Sequence, residues 1–351
     1  MLDVFVMIVP ALLVSLAAKL LFPKTITTEE ALVMLGLNVL VALLFNLGTY
    51  AYGRSQMYDT QLLSGYVMSK NSAKVSCEHS YDCRCRTIHH RDGKGNRYTT
   101  RECDTCYEHS YDVSWRVKTT LSDYTIPRVD RRGLTEPQRW TVVKVDEPVV
   151  ETSGYMNYLL ADEHTLFVET LTPATYDYPE YPQVYDMWNV RRVIGVPEPL
   201  GSTLNTLLNE TLKTLGPAKQ LNVVVVATKH NEDFYTGLMA KWKGGKKNDV
   251  IMVYGVDDNM NTLWFKSNSY AMGMGNMLLH AKLADNAVGH PLDVKALTLQ
   301  LATISTTYAR LSASEFEFKA NSIDTSFSTV LLLTLLNIAA AFGLAYTMHK
   351  N

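Results

Sequence analysis

Five cysteines supply the most distinctive chemistry in this chain. Four of them flank the turn signal Asp92-Gly93-Lys94-Gly95, two before it (Cys83 and Cys85) and two after it (Cys103 and Cys106). Such a signal is typical of a tight β-hairpin. A hairpin that turns there places Cys85 opposite Cys103. The same register brings Cys83 near Cys106. The four sulfur atoms are therefore expected to lie close together.

Four converging cysteines have two common uses. As thiolates they form a Cys₄ zinc site, which holds together a small ribbon that has little core of its own. As two disulfides they staple the same hairpin, which an oxidising compartment favours. Cys77, His79 and His109 are spare ligands close by in the sequence. The spacing leaves zinc and disulfides as alternatives, and both are structural roles.

Three carboxylates are candidates for a second metal site. Asp249 opens an apolar run, and Asp257 and Asp258 follow it. Near strand ends in an open α/β sheet, such groups can hold calcium or magnesium, and the cation can activate water against a phosphate. The alternative is that Asp257 and Asp258 belong to an ordinary turn and that Asp249 only begins a strand. No P-loop, nucleophile elbow, HExxH or GxGxxG motif occurs in the sequence.

A segment rich in tyrosine and proline, residues 172–185, is a candidate partner-binding surface. Tyrosines contribute a disproportionate share of the binding energy at protein interfaces. The alternative is a rigid linker that lies over the next domain. The tyrosines of this segment are Tyr176, Tyr178, Tyr181 and Tyr185.

Apolar segments at the two ends of the chain position these groups relative to a membrane. Residues 31–52 and 327–348 contain no Lys, Arg, Asp or Glu, and each has the length of about 20 residues that a helix needs to span a bilayer. Residues 4–22 form a third apolar segment, which lacks the basic start and the cleavage site of a signal peptide. We interpret it as a retained span, so that residues 1–53 form a transmembrane hairpin.

The polar module between the spans is predicted to contain a juxtamembrane helix, the cysteine-rich hairpin, a β-rich region, an α/β domain and a linker. These parts cover residues 54–74, 75–117, 118–196, 197–312 and 313–326, in that order. Apolar or alternating runs at Val113–Val117 and Trp140–Val145 predict antiparallel strands. In the α/β part, leucines at helical spacing alternate with the apolar strands 221–228 and 249–256.

The α/β part has a recognisable order of elements: a helix, an apolar strand, a helix that ends in Lys-Trp, a glycine-rich turn, and Asn-Asp before a buried strand. The residues concerned are Asn222–Ala227, Phe234-Tyr235, Lys241-Trp242, Gly244-Gly245, Asn248-Asp249, Val250–Val253 and Asp257-Asp258. This order resembles the TPM domain family, whose members are usually membrane-tethered and extracytoplasmic. Some members are described as phosphatases and others as assembly or repair factors. The cysteine-rich half resembles uncharacterised membrane proteins of large tailed phages in general character, without a shared motif.

Together these patterns predict an α+β membrane protein with three transmembrane helices, a cysteine-rich antiparallel β subdomain and a TPM-like α/β domain. A net charge near −2 does not indicate a nucleic-acid binder. The favoured function is binding, in which the module scaffolds another membrane or envelope protein and several copies can assemble. The alternative, implied by the resemblance, is a divalent-metal-dependent phosphatase. The basic residues near the spans are divided almost evenly between the two sides of the membrane. Because short segments follow the positive-inside rule better than long translocated domains, we favour a module outside the cytoplasm, in an inner-membrane protein.

Overall fold

Apolar helices stand at both ends of the chain in the computed structural model, which describes residues 2–91, 93–161, 176–322 and 327–350. These helices are α1, Leu2–Leu21, α2, Thr28–Gln56, and a C-terminal helix, Phe327–Lys350. The helix α2 and the C-terminal helix are long and apolar enough to cross a membrane. Only 17% and 22% of their apolar windows are buried, whereas the core helix of a soluble protein would be mostly buried. The apolar part of α1 is shorter, and its crossing of a membrane stays a prediction.

Buried polar side chains hold these helices together. The side-chain amide of Asn38 donates a hydrogen bond to Ser15 Oγ at 2.7 Å, and that of Asn337 donates to the carbonyl oxygen of Met7 at 3.0 Å. Amides in apolar surroundings are expected to bond across helices in this way, because lipid tails offer no competing partner. The helices at the two ends of the chain therefore pack as one bundle.

Strands follow directly after α2: β1, Tyr58–Val75; β2, Ser80–Arg91; β3, Arg97–Tyr107; β4, Asp112–Thr119; β5, Asp123–Ile126; and β6, Pro148–Met156. Four of them form an antiparallel sheet in the order β5-β4-β1-β6, and β2 pairs with β3. The helix predicted over residues 54–74 is therefore wrong beyond Gln56, where α2 ends. The pairing of β1 explains the error. The first half of β1 pairs with β6 and the second half with β4, and both partner strands come later in the chain.

The rest of the β-rich region is partly as predicted. The strand expected around Trp115 is confirmed as β4. The strand expected at Trp140–Val145 is wrong, because a short helix α3, Gln138–Val142, occupies its first part. Trp140 on this helix packs edge-on against Trp115, with ring centroids 4.7 Å apart. The apolar run therefore closes over one face of the sheet instead of joining it.

From the helix Leu200–Lys219 onward, the α/β domain has the order of elements that the sequence predicts; its first strand, Val193–Ile194, lies before the predicted boundary at residue 197. After a small hairpin of β7, Val184–Tyr185, and β8, Asn189–Val190, its elements are β9, Val193–Ile194; α4, Leu200–Lys219; β10, Asn222–Thr228; α5, Asp233–Lys241; β11, Asp249–Val256; β12, Thr262–Ser269; α6, Met277–Ala287; and α7, Val294–Thr307. The sheet order is β12-β11-β10-β9. The strands β9, β10 and β11 are parallel, and β12 is antiparallel to β11.

Helices cover both faces of this second sheet. Val223 and Val225 of β10 face a core built with α4, α6 and α7, whereas Val224 and Val226 face α5. A strand buried on both faces must be apolar at every position, which accounts for the unbroken valine run. Each such side chain stabilises the fold by about 1.5–3 kcal/mol through burial.

The helix α4 also packs against β1 of the first sheet. Its leucines face the α/β core, while Gly216 lies against β1, where an added Cβ would come within 2.9 Å of Ser64 Cβ. The absence of a side chain at Gly216 thus lets helix and strand approach closely. The two sheets meet at this contact.

The segment before the C-terminal helix, predicted as a linker over residues 313–326, packs on the module. Ala313–Ser322 forms a 3-10 helix. Phe316 on this helix is buried, and its ring centroid lies 5.6 Å from that of Tyr270. The last part of the predicted linker, residues 323–326, lies outside the described residues.

Gly195 provides a test of the parallel sheet. It has a φ of 76°, and a Cβ there would collide with the carbonyl oxygen of Ala227 at the end of β10. We expect Gly195→Ala to lower the free energy of unfolding by about 2–4 kcal/mol through overpacking and backbone strain. Gly289→Ala is the control, because Gly289 has a φ of 78° but open space around it, and strain alone costs about 1 kcal/mol. Equal shifts in the thermal unfolding of the full-length variants in detergent would contradict this packing.

Candidate functional site

The cysteine-rich hairpin, which we call the arm, comprises β2, β3 and their turn, residues Ser80–Tyr107. Its cysteines are bonded in two disulfides, Cys83–Cys106 and Cys85–Cys103. The predicted cross-strand partners are therefore confirmed. A β-bulge between Cys83 and Arg86 shifts the register and allows both bonds. The sequence left a zinc site and two disulfides open as alternatives, and the described residues contain the two disulfides.

The spare zinc ligands lie elsewhere, at the base of the arm. Cys77 is a buried free thiol that donates to the carbonyl oxygen of His79 at 3.4 Å. The ring of His79 in turn lies 3.3 Å from the carbonyl oxygen of Arg131. His109 stands beside Glu108, which two hydrogen bonds from Arg131 hold at a pKa below its usual value. Among the described residues, no three His, Cys, Asp or Glu side chains are grouped to hold a metal ion.

The arm has no core of its own. None of its described residues is buried, and a two-stranded ribbon is at best marginally stable in water. The disulfides close sequence separations of 23 and 18 residues. In the chain-entropy account, each closure of this size stabilises the folded hairpin by about 3 kcal/mol. Covalent bonds therefore replace hydrophobic burial as the reason why the arm keeps its shape.

Ion pairs fix the base of the arm to the first sheet. The guanidinium of Arg128 bonds Asp112 at 3.2 Å and Glu78 at 3.0 Å, one residue on each side of the arm. The same carboxylate of Asp112 accepts the backbone N–H of Glu78 at 3.0 Å. Asp112 is fully buried, and a buried charge is tolerated where it is paired and hydrogen-bonded. The two connections between sheet and arm are thus tied together.

The tyrosine segment lies over the α/β domain. The ring of Tyr178 packs 5.2 Å from that of Phe234, and the ring of Tyr181 packs edge-on at 5.4 Å from that of Trp242. Tyr176 belongs to the same cluster, while Tyr185 is 56% exposed on β7. These contacts match the alternative of a covering linker for Tyr176, Tyr178 and Tyr181. Residues 172–175 of the predicted segment lie outside the described residues.

The three candidate carboxylates stand at opposite ends of β11, which corrects the prediction of one shared cation site. Asp249 is the first residue of the strand, whereas Asp257 and Asp258 follow its last residue. Eight steps of an extended strand separate them by about 25 Å, far beyond the 2.3–2.6 Å of calcium ligands. Asp257 accepts hydrogen bonds from the backbone of Asn259 and Asn261, each at 2.8 Å. It therefore forms the turn that the sequence left as the alternative.

Asp249 is buried in a polar cluster. Its carboxylate accepts hydrogen bonds from the amide of Asn222 at 2.8 Å, from the hydroxyl of Tyr181 at 2.9 Å and from the backbone of Lys246 at 2.7 Å. Burial raises the pKa of Asp249 to about 6, and these hydrogen bonds oppose that rise. Burial also raises the pKa of Tyr181. The donors satisfy the carboxylate, so that its role is to connect β10, β11 and the tyrosine segment.

Arg192 joins this cluster to the first sheet, a role that no local pattern in the sequence indicates. The side chain is fully buried. Its guanidinium donates to Asn222 Oδ1 and Ser64 Oγ, each at 2.7 Å, and to the amide oxygen of Asn209. Burial lowers the pKa of Arg192 to about 10. A single arginine before a two-residue strand looks like a surface residue in the sequence, because its partners come from β1, α4 and β10.

A second polar contact between the sheets involves Asp59 and Lys246, whose Nζ lies 2.5 Å from the carboxylate. The hydroxyl of Tyr155 also donates to Asp59, at 3.0 Å. Close by, the amide of Asn248 donates to the carbonyl oxygen of Leu62 at 2.7 Å. Strand β1 is therefore bound to the edge of the α/β sheet at which β10 and β11 begin.

The described residues define a mixed α+β protein with two apolar helices of membrane-spanning length and two disulfide-bonded cysteine pairs within antiparallel strands. Comparison with protein-family models, curated proteins and solved structures finds no match to this chain. The particular family therefore stays open. The resemblance to the TPM domain family and to phage membrane proteins stays a prediction.

Thiol counting tests the disulfides. In the denatured full-length protein, we expect one thiol, that of Cys77, to react before reduction and five after reduction. The remaining four cysteines are held in disulfides and cannot react with the reagent. Metal analysis of the same full-length protein, purified without reductant, serves as the control. Five thiols before reduction, together with one equivalent of zinc, would contradict the disulfides and establish the alternative.

The raised pKa of Asp249 predicts a pH dependence of stability. The folded protein binds this proton more tightly than the unfolded chain, so the contribution to stability falls as the pH rises from about 4 through 6. We expect Asp249→Asn to gain about 2.5 kcal/mol relative to the unaltered protein between pH 4 and pH 7. Carboxylates with lowered pKa, such as Asp130 at about 2, act equally in both proteins and cancel. Parallel profiles of unfolding temperature against pH would contradict this assignment.

Proposed function

We propose that this chain is a membrane-anchored, non-enzymatic protein whose module binds or scaffolds another membrane or envelope component through the arm. The observation that carries the proposal is that the described residues of the arm include none that is buried, while two disulfides stiffen it covalently. A segment that adds no core to its own domain, yet is held rigid by two disulfides, is preorganised for contact with something else. Preorganisation reduces the entropy lost on binding.

Anchoring in the membrane is supported by the apolar helices at both ends of the described chain. Disulfides persist in oxidising compartments, which supports an inner-membrane protein whose module lies outside the cytoplasm. In the full proposal α1 is a third span, paired with α2 as a transmembrane hairpin. The TPM-like α/β domain then serves as the platform that carries the first sheet and the arm.

The carboxylates favour this function over the rival phosphatase. Asp249 is buried and satisfied by three donors. Asp257 is held within its own turn, and Asp258 is paired with Lys229 at 2.5 Å. A hydrolytic site for calcium or magnesium needs several oxygen ligands around one open position, and these groups are too far apart to supply it.

A photo-crosslinking side chain at the tip of the arm tests the proposed function. Tyr98 is 52% exposed near the turn, and Leu263, 66% exposed on β12, is the control position. We expect irradiation of cells that express the full-length chain to give a discrete adduct from position 98 and none from position 263. Mass spectrometry of the labelled peptide identifies the adduct as protein, lipid or a second copy of the chain.

Two outcomes would count against the proposal. One is the absence of any adduct from position 98, or adducts of equal yield from both positions. The other is turnover of a generic phosphate ester by the purified full-length protein with Mg²⁺ or Ca²⁺, if that turnover is lost in Asp257→Ala with Asp258→Ala. The second result would establish the phosphatase instead.

A further inference from the structure

The two faces of the arm differ in charge. In an antiparallel pair, directly opposite residues share a face, and successive pairs alternate between faces. The pairs on one face are Arg91 with Arg97, His89 with Thr99, and Thr87 with Arg101. We call this set the arginine face. It contains three arginines, a histidine and two hydroxyls, and no acidic residue.

The opposite face is internally paired. Arg86 bonds Glu102 at 3.1 Å, and His90 stacks on Tyr98 with ring centroids 5.0 Å apart. The guanidinium groups of Arg91, Arg97 and Arg101, by contrast, form no ion pair with the described part of the chain. The positive charge of the arm is therefore concentrated on one side, close to the tip.

Arg91 and Arg97 lie directly opposite each other on the two strands. Like charges at such positions, with Cβ atoms about 5 Å apart, weaken the pairing of a hairpin. The chain accepts this repulsion at the tip of the arm, next to the turn and beyond both disulfides. An anion between the two guanidinium groups would turn the repulsion into binding.

The chemistry of the arginine face fits phosphate. Arginine presents a planar fork of donors that matches phosphate oxygens in pairs, and the hydroxyls of Thr87 and Thr99 can donate further bonds. The row extends from Arg97 to Arg101, about 13 Å along the strand. A flat row of this length suits several phosphates side by side better than a single enclosed ion.

The position of the arm in the chain favours a surface other than the membrane that holds α2. Strand β1 starts two residues after α2 and leads to the arm at its other end. Its 18 residues extend over about 55 Å. The base of the arm therefore stands at the end of β1 that is remote from the anchor.

We infer that the arginine face binds the phosphate headgroups of an anionic phospholipid bilayer facing the one in which the protein is anchored. The inference rests on the proposed function and specifies its partner as a lipid surface. The arm then bridges two membranes, with the disulfides keeping the arginine row rigid.

The test uses the full-length protein in nanodiscs of phosphatidylcholine, mixed with vesicles of phosphatidylcholine that do or do not contain 30% phosphatidylglycerol. We expect nanodiscs to float with the anionic vesicles and not with the neutral ones, and to be released by 0.5 M salt, which screens surface charge. Arg91→Gln with Arg97→Gln should reduce the binding roughly 30-fold, the equivalent of about 1 kcal/mol for each basic residue near an anionic surface.

Arg116→Gln with Lys118→Gln is the matched control, because it removes the same charge from exposed positions on β4. We expect less than a threefold change. Counting one reactive thiol before reduction verifies that both variants keep their disulfides. Equal loss in the two variants, or no preference for anionic vesicles, would overturn the inference. A protein adduct from position 98 without vesicle binding would overturn it too, while leaving the proposed function intact.

Discussion

The buried guanidinium of Arg192 is the contact on which the arrangement of the module depends. A charge withdrawn from water is tolerated only if its donors are satisfied, and here the acceptors come from β1, α4 and β10. Removing any one of them would leave a buried donor without a partner. The two sheets are therefore fixed relative to each other by a polar constraint, in addition to the packing of α4 on β1 and the apolar contact of Leu62 and Val150 with Val190.

Strand β1 transmits this constraint in both directions along the chain. It begins beside the last residue of α2, is held at Asp59 and Ser64 by the α/β domain, and ends where the arm begins. The helix α2, the α/β domain and the arm are thus connected through one extended segment. A displacement at either end of β1 would strain the hydrogen bonds at its middle.

Charged groups are hydrogen-bonded within the α/β domain but, among the described residues, they lack a counter-charge on one face of the arm. In the platform the carboxylates of Asp249 and Asp257 have several hydrogen-bond donors each, which leaves them little capacity for a ligand. In the arm, Arg91 and Arg97 face each other without a counter-charge in the described chain. Satisfied groups specify a fold, whereas an exposed like-charge pair is open to a partner.

The sequence by itself determined those elements whose signal is local: the apolar end helices, the helices and strands of the α/β domain, and the cysteine pairs, since a turn sets the register of a hairpin. Only the tertiary structure decided that residues 58–75 form a strand, because β4 and β6 supply its partners. It also decided that Asp249 and Asp257 lie at opposite ends of β11 and that Arg192 is buried. These outcomes depend on groups far apart in the chain, whose proximity no local pattern of residues can encode.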